Sequence, residues 1–315
     1  MGLVIGMDEA GYGPNLGPLV VTVTAWEVPG SPRDADFWGA FSDAVSAAPA
    51  RGDDRLHVAD SKQGYRSGAG LGALERGVLA ALGLLDLRPS RFQELCGRLC
   101  REASLDVEPW FDGRDVSLPC AVSVVRDDLD SAAARWRERC RSSGIALKGV
   151  RSDVVLTRRF NRLTRDSGSK GVALSRISLQ LLRDAWDPNT SEPVLIIADK
   201  HGGRNRYDDL LAEVVDGRMI FRLEEGTNLS RYKLGTTEIR FQPKAEEHLP
   251  VALASMVSKY LRELSMILFN DYWRGHVPDI KPTQGYPVDA RRFRGEIASA
   301  QARLGLDDDL LWRER

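Results

Sequence analysis

The stretch from Gly2 to Thr24 constrains the fold more than any other. Leu3 to Met7 is an apolar run that delivers two adjacent carboxylates, Asp8 and Glu9, to its end. Gly11, Gly13, Pro14, Gly17 and Pro18 follow within a short span, and Val20 to Thr24 returns as a β-branched run. The pattern is strand, tight turn, strand. Glycine has no side chain to hold a ligand off, so backbone in this turn can come very close to one. Neighbours in a strand face opposite ways, so Asp8 and Glu9 serve one site only if one of them sits where the chain begins to turn. Taken alone, the segment also reads as a solvated acidic hairpin on a sheet edge.

A chain of 315 residues with 43% hydrophobic and 28% charged content has the composition of a globular protein of one large domain or two ordinary ones. It contains no apolar run long enough to span a membrane, and it begins on a strand pattern rather than a charged-then-apolar leader, so a cytoplasmic protein is expected. Cys96, Cys100, Cys120 and Cys140 lack the spacing of paired metal ligands; buried free thiols in a reducing compartment are expected. A net charge of −1 argues against a uniformly basic nucleic-acid binder. The charge is uneven, however: Arg158, Arg159, Arg162, Arg165, Lys170 and Arg176 stand against Asp166 alone, and Lys200, Arg204 and Arg206 follow. Such runs are usually solvated helix faces.

Further landmarks come in order. His57-Val-Ala-Asp60-Ser61-Lys62 precedes a Gly-rich loop and an amphipathic helix, a place where Asp-Ser is also an ordinary N-cap. Val194 to Ala198 ends abruptly in Asp199, followed by Lys200, His201 and a Gly-Gly turn, as an α/β sheet presents a carboxylate at the C-terminal tip of a buried strand. A capping aspartate without function fits the same pattern, and His201 reads as a supporting group. In the segment Lys244 to Glu263, Val257, Leu261, Leu264 and Leu268 form an apolar stripe while Ser255, Lys259 and Glu263 recur on another face. Lys259 and Glu263 on their own would be a surface i,i+4 ion pair, but small Ala and Ser residues on the first turns call for close packing. Periodicity predicts further helices over 34–50, 71–84, 92–102, 129–142, 160–182 and 290–304. It predicts strands over 121–125, 149–156, 219–223 and 237–242, the last two joined by a polar loop.

These landmarks carry a family resemblance. Asp8-Glu9-Ala10-Gly11-Tyr12-Gly13-Pro14, with Gly17-Pro18-Leu19-Val20-Val21 behind it, resembles the opening signature of ribonuclease HII, which reads Asp-Glu-Ala-Gly-Arg-Gly-Pro, a spacer, then Gly-Pro-Val-Val. Asp60-Ser61-Lys62 corresponds to its Asp-Ser-Lys-Lys element, and the strand ending in Asp199 to its aspartate-tipped strand. Lys244-Ala245-Glu246, Pro250-Val251 and Ala254 to Glu263 follow its Lys-Ala-Asp, Pro-Val and Ala-Ser-Ile segments, with Lys259 on the family lysine, Arg262 on its arginine and Glu263 on its catalytic aspartate. Tyr286 falls on the family tyrosine. The resemblance spans most of the chain, with insertions near 27–55 and 85–120. It departs at Tyr12, where the family has arginine, and at Glu263, one methylene longer than aspartate.

The resemblance implies a ribonuclease H-like α/β fold: a mixed central sheet flanked by helices, with a helical C-terminal portion. Residues 1–270 would form the catalytic domain and 271–315 a helical segment packed on it. Asp8, Glu9, Asp199 and Glu263 would be the catalytic and metal-binding carboxylates. Oxygen-only ligands suit Mg²⁺ or Mn²⁺, as a two-ion site for in-line phosphodiester hydrolysis. No Ser-His or Cys-His nucleophile arrangement is needed, and none stands out. Gly11, Tyr12, Gly13, Ser61, Lys62, Lys200, Arg204, Lys259 and Tyr286 would bind substrate. The implied activity is endonucleolytic cleavage of the RNA strand of RNA/DNA hybrids, leaving 5′-phosphate and 3′-hydroxyl ends, with nucleic acid as the partner. The alternatives are a related metal-dependent nuclease on other nucleic acids and a non-catalytic nucleic-acid-binding protein on the same fold. A small-molecule phosphatase is a more distant one.

Overall fold

The computed structural model describes residues 1–48, 52–59, 70–101, 105 and 108–314. Ser61 and Lys62 lie outside the described residues. A seven-stranded mixed sheet, flanked by helices on both faces, forms the centre. Its order is β5-β2-β1-β6-β9-β8-β7. These strands are β1 (Gly2–Ala10), β2 (Leu19–Val28), β5 (Ala146–Val155), β6 (Val194–Asp199), β7 (Phe221–Glu225), β8 (Ser230–Leu234) and β9 (Thr237–Gln242). A separate two-stranded pair, β3 (Val45–Ser46) and β4 (Leu56–His57), follows β2 in the chain. β1 is antiparallel to β2 and parallel to β6, which is parallel to β9. The mixed α/β architecture is the one expected.

The helices are α1 (Phe37–Ala40), α2 (Gly70–Gly83), α3 (Phe92–Leu99), α4 (Arg126–Ser143), α5 (Thr157–Ser167), α6 (Lys170–Ala185), α7 (Asp208–Ala212), α8 (Leu249–His276), α9 (Pro287–Leu304) and α10 (Asp308–Leu311). Alternation along β1 divides them. Val4 joins a large core with α2, α4, α8 and α9, while Ile5 and Met7 join a second core with α5, α6 and α7. α8 is buried on nearly all sides over its first half, which explains its small residues. It lies directly on β1: a Cβ added at Gly6 would meet the Pro250 carbonyl carbon at 2.2 Å. Hydroxyls complete the contact. Thr24 Oγ1 donates to the Pro250 carbonyl at 2.8 Å, and Ser258 Oγ bonds the Asp8 carbonyl at 3.2 Å and Thr22 Oγ1 at 2.8 Å. The 270/271 boundary falls inside α8, which runs through to His276.

Several local expectations change. The 34–50 segment is not a long helix. After a 3-10 turn it gives only α1, because Phe37 and Phe41 turn inward onto Trp26 and Trp136 in an aromatic cluster. Residues 121–125 form bends leading into α4 rather than a strand. The expected 160–182 helix is two, α5 and α6, because Gly168 takes a left-handed conformation with φ 63° and caps the first. The loop after β7 holds a strand of its own, β8. Cys96 and Cys100 are buried, Cys120 and Cys140 half-buried, and all four are free. No helix among the described residues is long and apolar enough to cross a membrane.

Buried acids tie the stretch 108–121 to the core. Glu75 of α2 accepts from the Cys120 and Ala121 amides, each at 2.8 Å, and from the Tyr260 hydroxyl of α8 at 2.6 Å. Glu108 accepts from the Thr157 amide at the start of α5 at 3.1 Å, and burial pushes its carboxyl up to about 8.

Two predictions follow from this packing. Gly6→Ala forces α8 off β1 and abolishes cooperative thermal unfolding, whereas Gly295→Ala, where nothing lies within 4 Å, leaves the fold intact and raises stability by about 0.5–1 kcal/mol. Cooperative melting of Gly6→Ala at the wild-type temperature refutes the close contact. The raised pKa of Glu108 means that the folded state holds a proton the unfolded state has lost. Its contribution is therefore full below the ordinary glutamate range and declines as pH rises towards about 8. Urea titrations across that window should show a shallower decline for Glu108→Gln than for the wild type; identical slopes count against a protonated Glu108.

Candidate active site at the tips of β1 and β6

The site forms where two adjacent parallel strands end. Met7 pairs with Ala198, so Asp8 and Asp199 occupy the next positions of neighbouring strands. Ile5 and Met7 of β1, like Ile196 and Ala198 of β6, face the α6 core, so alternation turns both aspartates to the α8 side. β1 stays regular through Ala10, and Glu9 therefore faces the opposite way, where its charge acts on Tyr12 and Tyr207. The turn that was to bring Asp8 and Glu9 to one side begins too late to do so.

Asp8 is buried, only 6% exposed. Burial, then the neighbouring Glu9 charge, push its carboxyl well above the usual carboxylate range; a hydrogen bond from Ser255 of α8 opposes this, and Glu246 adds to the rise. Glu246 lies in the 3-10 turn Ala245–Glu247 just after β9. The sequence motifs assign Glu246 no role of its own. The signal was present, since Lys244-Ala245-Glu246 matches an acidic family segment, but its approach to Asp8 depends on the order of β6 and β9.

Ser255, Lys259 and Glu263 share one face of α8, as their spacing requires. Ser255 meets Asp8, and Lys259 Nζ pairs with Glu263 Oε1 at 2.7 Å. The side chains are only 15% and 8% exposed, so this is no surface pair. At 1.5 Å per residue, Glu263 stands roughly 12 Å along the helix from Ser255, beyond the strand tips. Among the described residues no three of His, Cys, Asp and Glu approach closely enough to form a ready metal cage. The four carboxylates thus surround the strand tips without closing on one point. Their donor chemistry fits a hard divalent cation: oxygen atoms only, with excess negative charge around Asp8.

The glycine turn lies against the middle of α8. Gly11 has φ 89°, and a Cβ there would meet Arg262 Nε at 2.7 Å. Arg262 is buried and donates to the Gln284 carbonyl at 2.8 Å. Asn15 N donates to the Gly285 carbonyl at 2.7 Å. Gly13 is open except for Tyr286, whose Cε1 lies 3.9 Å from an added Cβ. Tyr286 itself is half exposed. The structure therefore brings Gly11, Gly13 and Tyr286 together from opposite ends of the chain.

Tyr12 packs rather than projecting freely. Its hydroxyl lies near Gly202 and Gly171, and Lys170 Nζ sits 4.6 Å from its ring centroid. Arg204 stands close enough to act on it electrostatically. Lys200 is engaged elsewhere: Nζ donates to the Arg204 and Gly226 carbonyls, Asn205 Oδ1 and Ser230 Oγ, so it shapes the turn after Asp199. His201 is buried against Tyr207 and Phe241, with Nδ1 3.0 Å from Ser175 Oγ, and burial lowers its pKa to about 3. It is a neutral packing group.

No family model and no curated protein matches the sequence. Among solved structures, the chain is similar to ribonuclease H2 from Pyrococcus horikoshii OT3, at 15% identity over 98% of this chain and 92% of that one, with a TM-score of 0.49. It is also similar to a chain of the PCNA:RNase HII complex from Archaeoglobus fulgidus, at 14% identity over 99% of this chain and 94% of that one, with a TM-score of 0.44. A third is Bst-RNase HIII in complex with Mn²⁺, at 17% identity over 99% of this chain and 66% of that one, with a TM-score of 0.39.

Asp8 is costly to the fold because its charge is buried among other acids. Asp8→Asn should raise the melting temperature in the presence of a chelator, by a few degrees for about 1 kcal/mol. A lowered melting temperature in calorimetry would falsify the crowded-charge description.

Proposed function

We propose that the protein is a divalent-cation-dependent endonuclease that hydrolyses the RNA strand of RNA/DNA hybrids or a ribonucleotide within duplex DNA. The supporting observation is the pair of in-register aspartates, Asp8 and Asp199, on the α8 side of adjacent strand tips, with Glu246 drawn towards Asp8. Unneutralised, such a cluster repels phosphate and costs stability, so a non-catalytic binder of nucleic acid has no use for it.

Asp8 and Asp199 would hold the cation, with Glu9 and Glu263 flanking the strand tips. A bound Mg²⁺ or Mn²⁺ would supply activation of water and neutralise charge on the leaving oxygen. The protein's own residues do the rest. Ser255 orients the Asp8 carboxylate. Lys259 holds Glu263, and both are shielded from bulk water. The open side of Gly13 and the exposed Tyr286 meet the sugar, since distinguishing RNA from DNA requires reading the 2′-hydroxyl. Arg204 and Lys170, both beside Tyr12, offer positive charge to the phosphates. Cleavage in this reading leaves 5′-phosphate and 3′-hydroxyl ends.

The test compares wild type with Asp8→Asn and Asp199→Asn on a uniform RNA/DNA hybrid and on a DNA duplex holding one ribonucleotide, with Mg²⁺ or Mn²⁺. Cation-dependent cutting should fall by about a hundredfold or more in each variant while folding is retained. Which substrate is cut reports how Tyr12 reads the junction. Binding of the hybrid without cutting, under either cation, would replace the enzyme reading with that of a binding protein.

A further inference from the structure

The last described turn of the chain is inserted beneath the glycine turn near its start. Arg313 is wholly buried. Its backbone amide donates to the Asn15 carbonyl at 2.9 Å, and its Nη2 donates to the carbonyls of both Gly11 and Pro14. The guanidinium lies 5.0 Å from the Phe160 ring centroid. Among the described residues it has no carboxylate partner, and its Nε and Nη1 have no hydrogen-bond partner. Burial, and then the like charge of Arg262 on the other side of Gly11, lower the Arg313 pKa to about 9.

Anchoring the tail does not require this arrangement. Asn161 of α5 donates to Asp309 Oδ1 and to the Trp312 carbonyl, each at 2.9 Å, and accepts from the Glu314 amide at 2.8 Å. Arg158 pairs with Asp307, and Arg165 with Asp309 and Glu314. An apolar side chain in place of Arg313 would fill the space without burying a charge beside another of the same sign. What only the guanidinium supplies is a donor for two carbonyls that the turn directs inward, each costly to leave unpaired. Turning those carbonyls inward leaves the Gly13 side of the turn open beside Tyr286.

We propose that Arg313 is a positioning residue: it fixes the Gly11–Pro14 turn so that its open side meets the ribose of the substrate next to Tyr286. The inference rests on the nuclease reading above. It gives the tail a part in telling ribose from deoxyribose, without contact to substrate.

The test uses the full chain with Arg313→Met, which keeps the stem and removes the donors, and Arg313→Lys, which keeps a charge and donors on a shorter reach. A control, Arg158→Ala with Arg165→Ala, removes exposed tail pairings and leaves Arg313 in place. Amide hydrogen exchange at Asn15 and Leu16, whose N–H groups donate to the Gly285 carbonyl, should quicken by about tenfold or more in Arg313→Met, with exchange at Ile5 and Met7 unchanged. KM for the ribonucleotide-containing duplex should rise by about tenfold with kcat falling less, Arg313→Lys should recover part of the loss, and the control should match wild type. Unchanged exchange in the turn overturns the proposal. So does an unchanged KM, or a loss of activity that follows only the folded fraction measured by melting. If the wild type cuts neither substrate, the nuclease reading fails by itself, and the exchange comparison still decides whether Arg313 holds the turn.

Discussion

The close seating of α8 on β1 governs the rest of the structure. With no side chain at Gly6, the helix backbone rests on the central strand, and the two run in the same direction from Pro250 over Gly6 to Arg262 over Gly11. Strand and helix therefore reach the sheet edge together. Whatever β1 carries at its tip is met by whatever α8 carries over its middle turns, which is how Asp8 finds Ser255 and the glycine turn finds Arg262. A larger residue at position 6 would move every one of these contacts at once.

Positive charge is distributed differently from its appearance in the sequence. The basic run of α5 is largely engaged by the protein itself: Arg159 with Asp153, and Arg158 and Arg165 with the acids of the tail. Among the described residues, the cations nearest the strand tips include Lys170 and Arg204 beside Tyr12 and the Lys259 that holds Glu263. A neutral overall charge is thus compatible with a small basic rim around an acidic centre.

The central strands and the long helix were legible because their patterns are strong and local. Apolar runs bounded by acids and glycines gave β1, β2 and β6, and small residues on an apolar helix announced the tight seat of α8. What was hidden depended on tertiary context. An Ala-rich segment gave way to the packing of Phe37 and Phe41 on Trp26. A single left-handed glycine split α5 from α6. β8 is short and alternates Ser230, Tyr232 and Leu234 inward with Arg231 and Lys233 outward, a pattern easily taken for a polar loop. The positions of Asp8, Asp199 and Glu263 along their elements followed from the motifs. Glu246, the buried Arg313 and the role of Lys200 did not, since each depends on which distant segment lies beside it.

The regular course of β1 has a consequence for the shape of what can bind. Asp8 and Glu9 are adjacent in the chain but leave β1 on opposite faces, Asp8 towards Ser255 of α8 and Glu9 towards Tyr12 and Tyr207. A partner that engages the two acids has to straddle the rim of the sheet, with parts descending on each face. On the proposed nuclease reading, the two acids form a ridge that a long, ribbon-like polymer can grip.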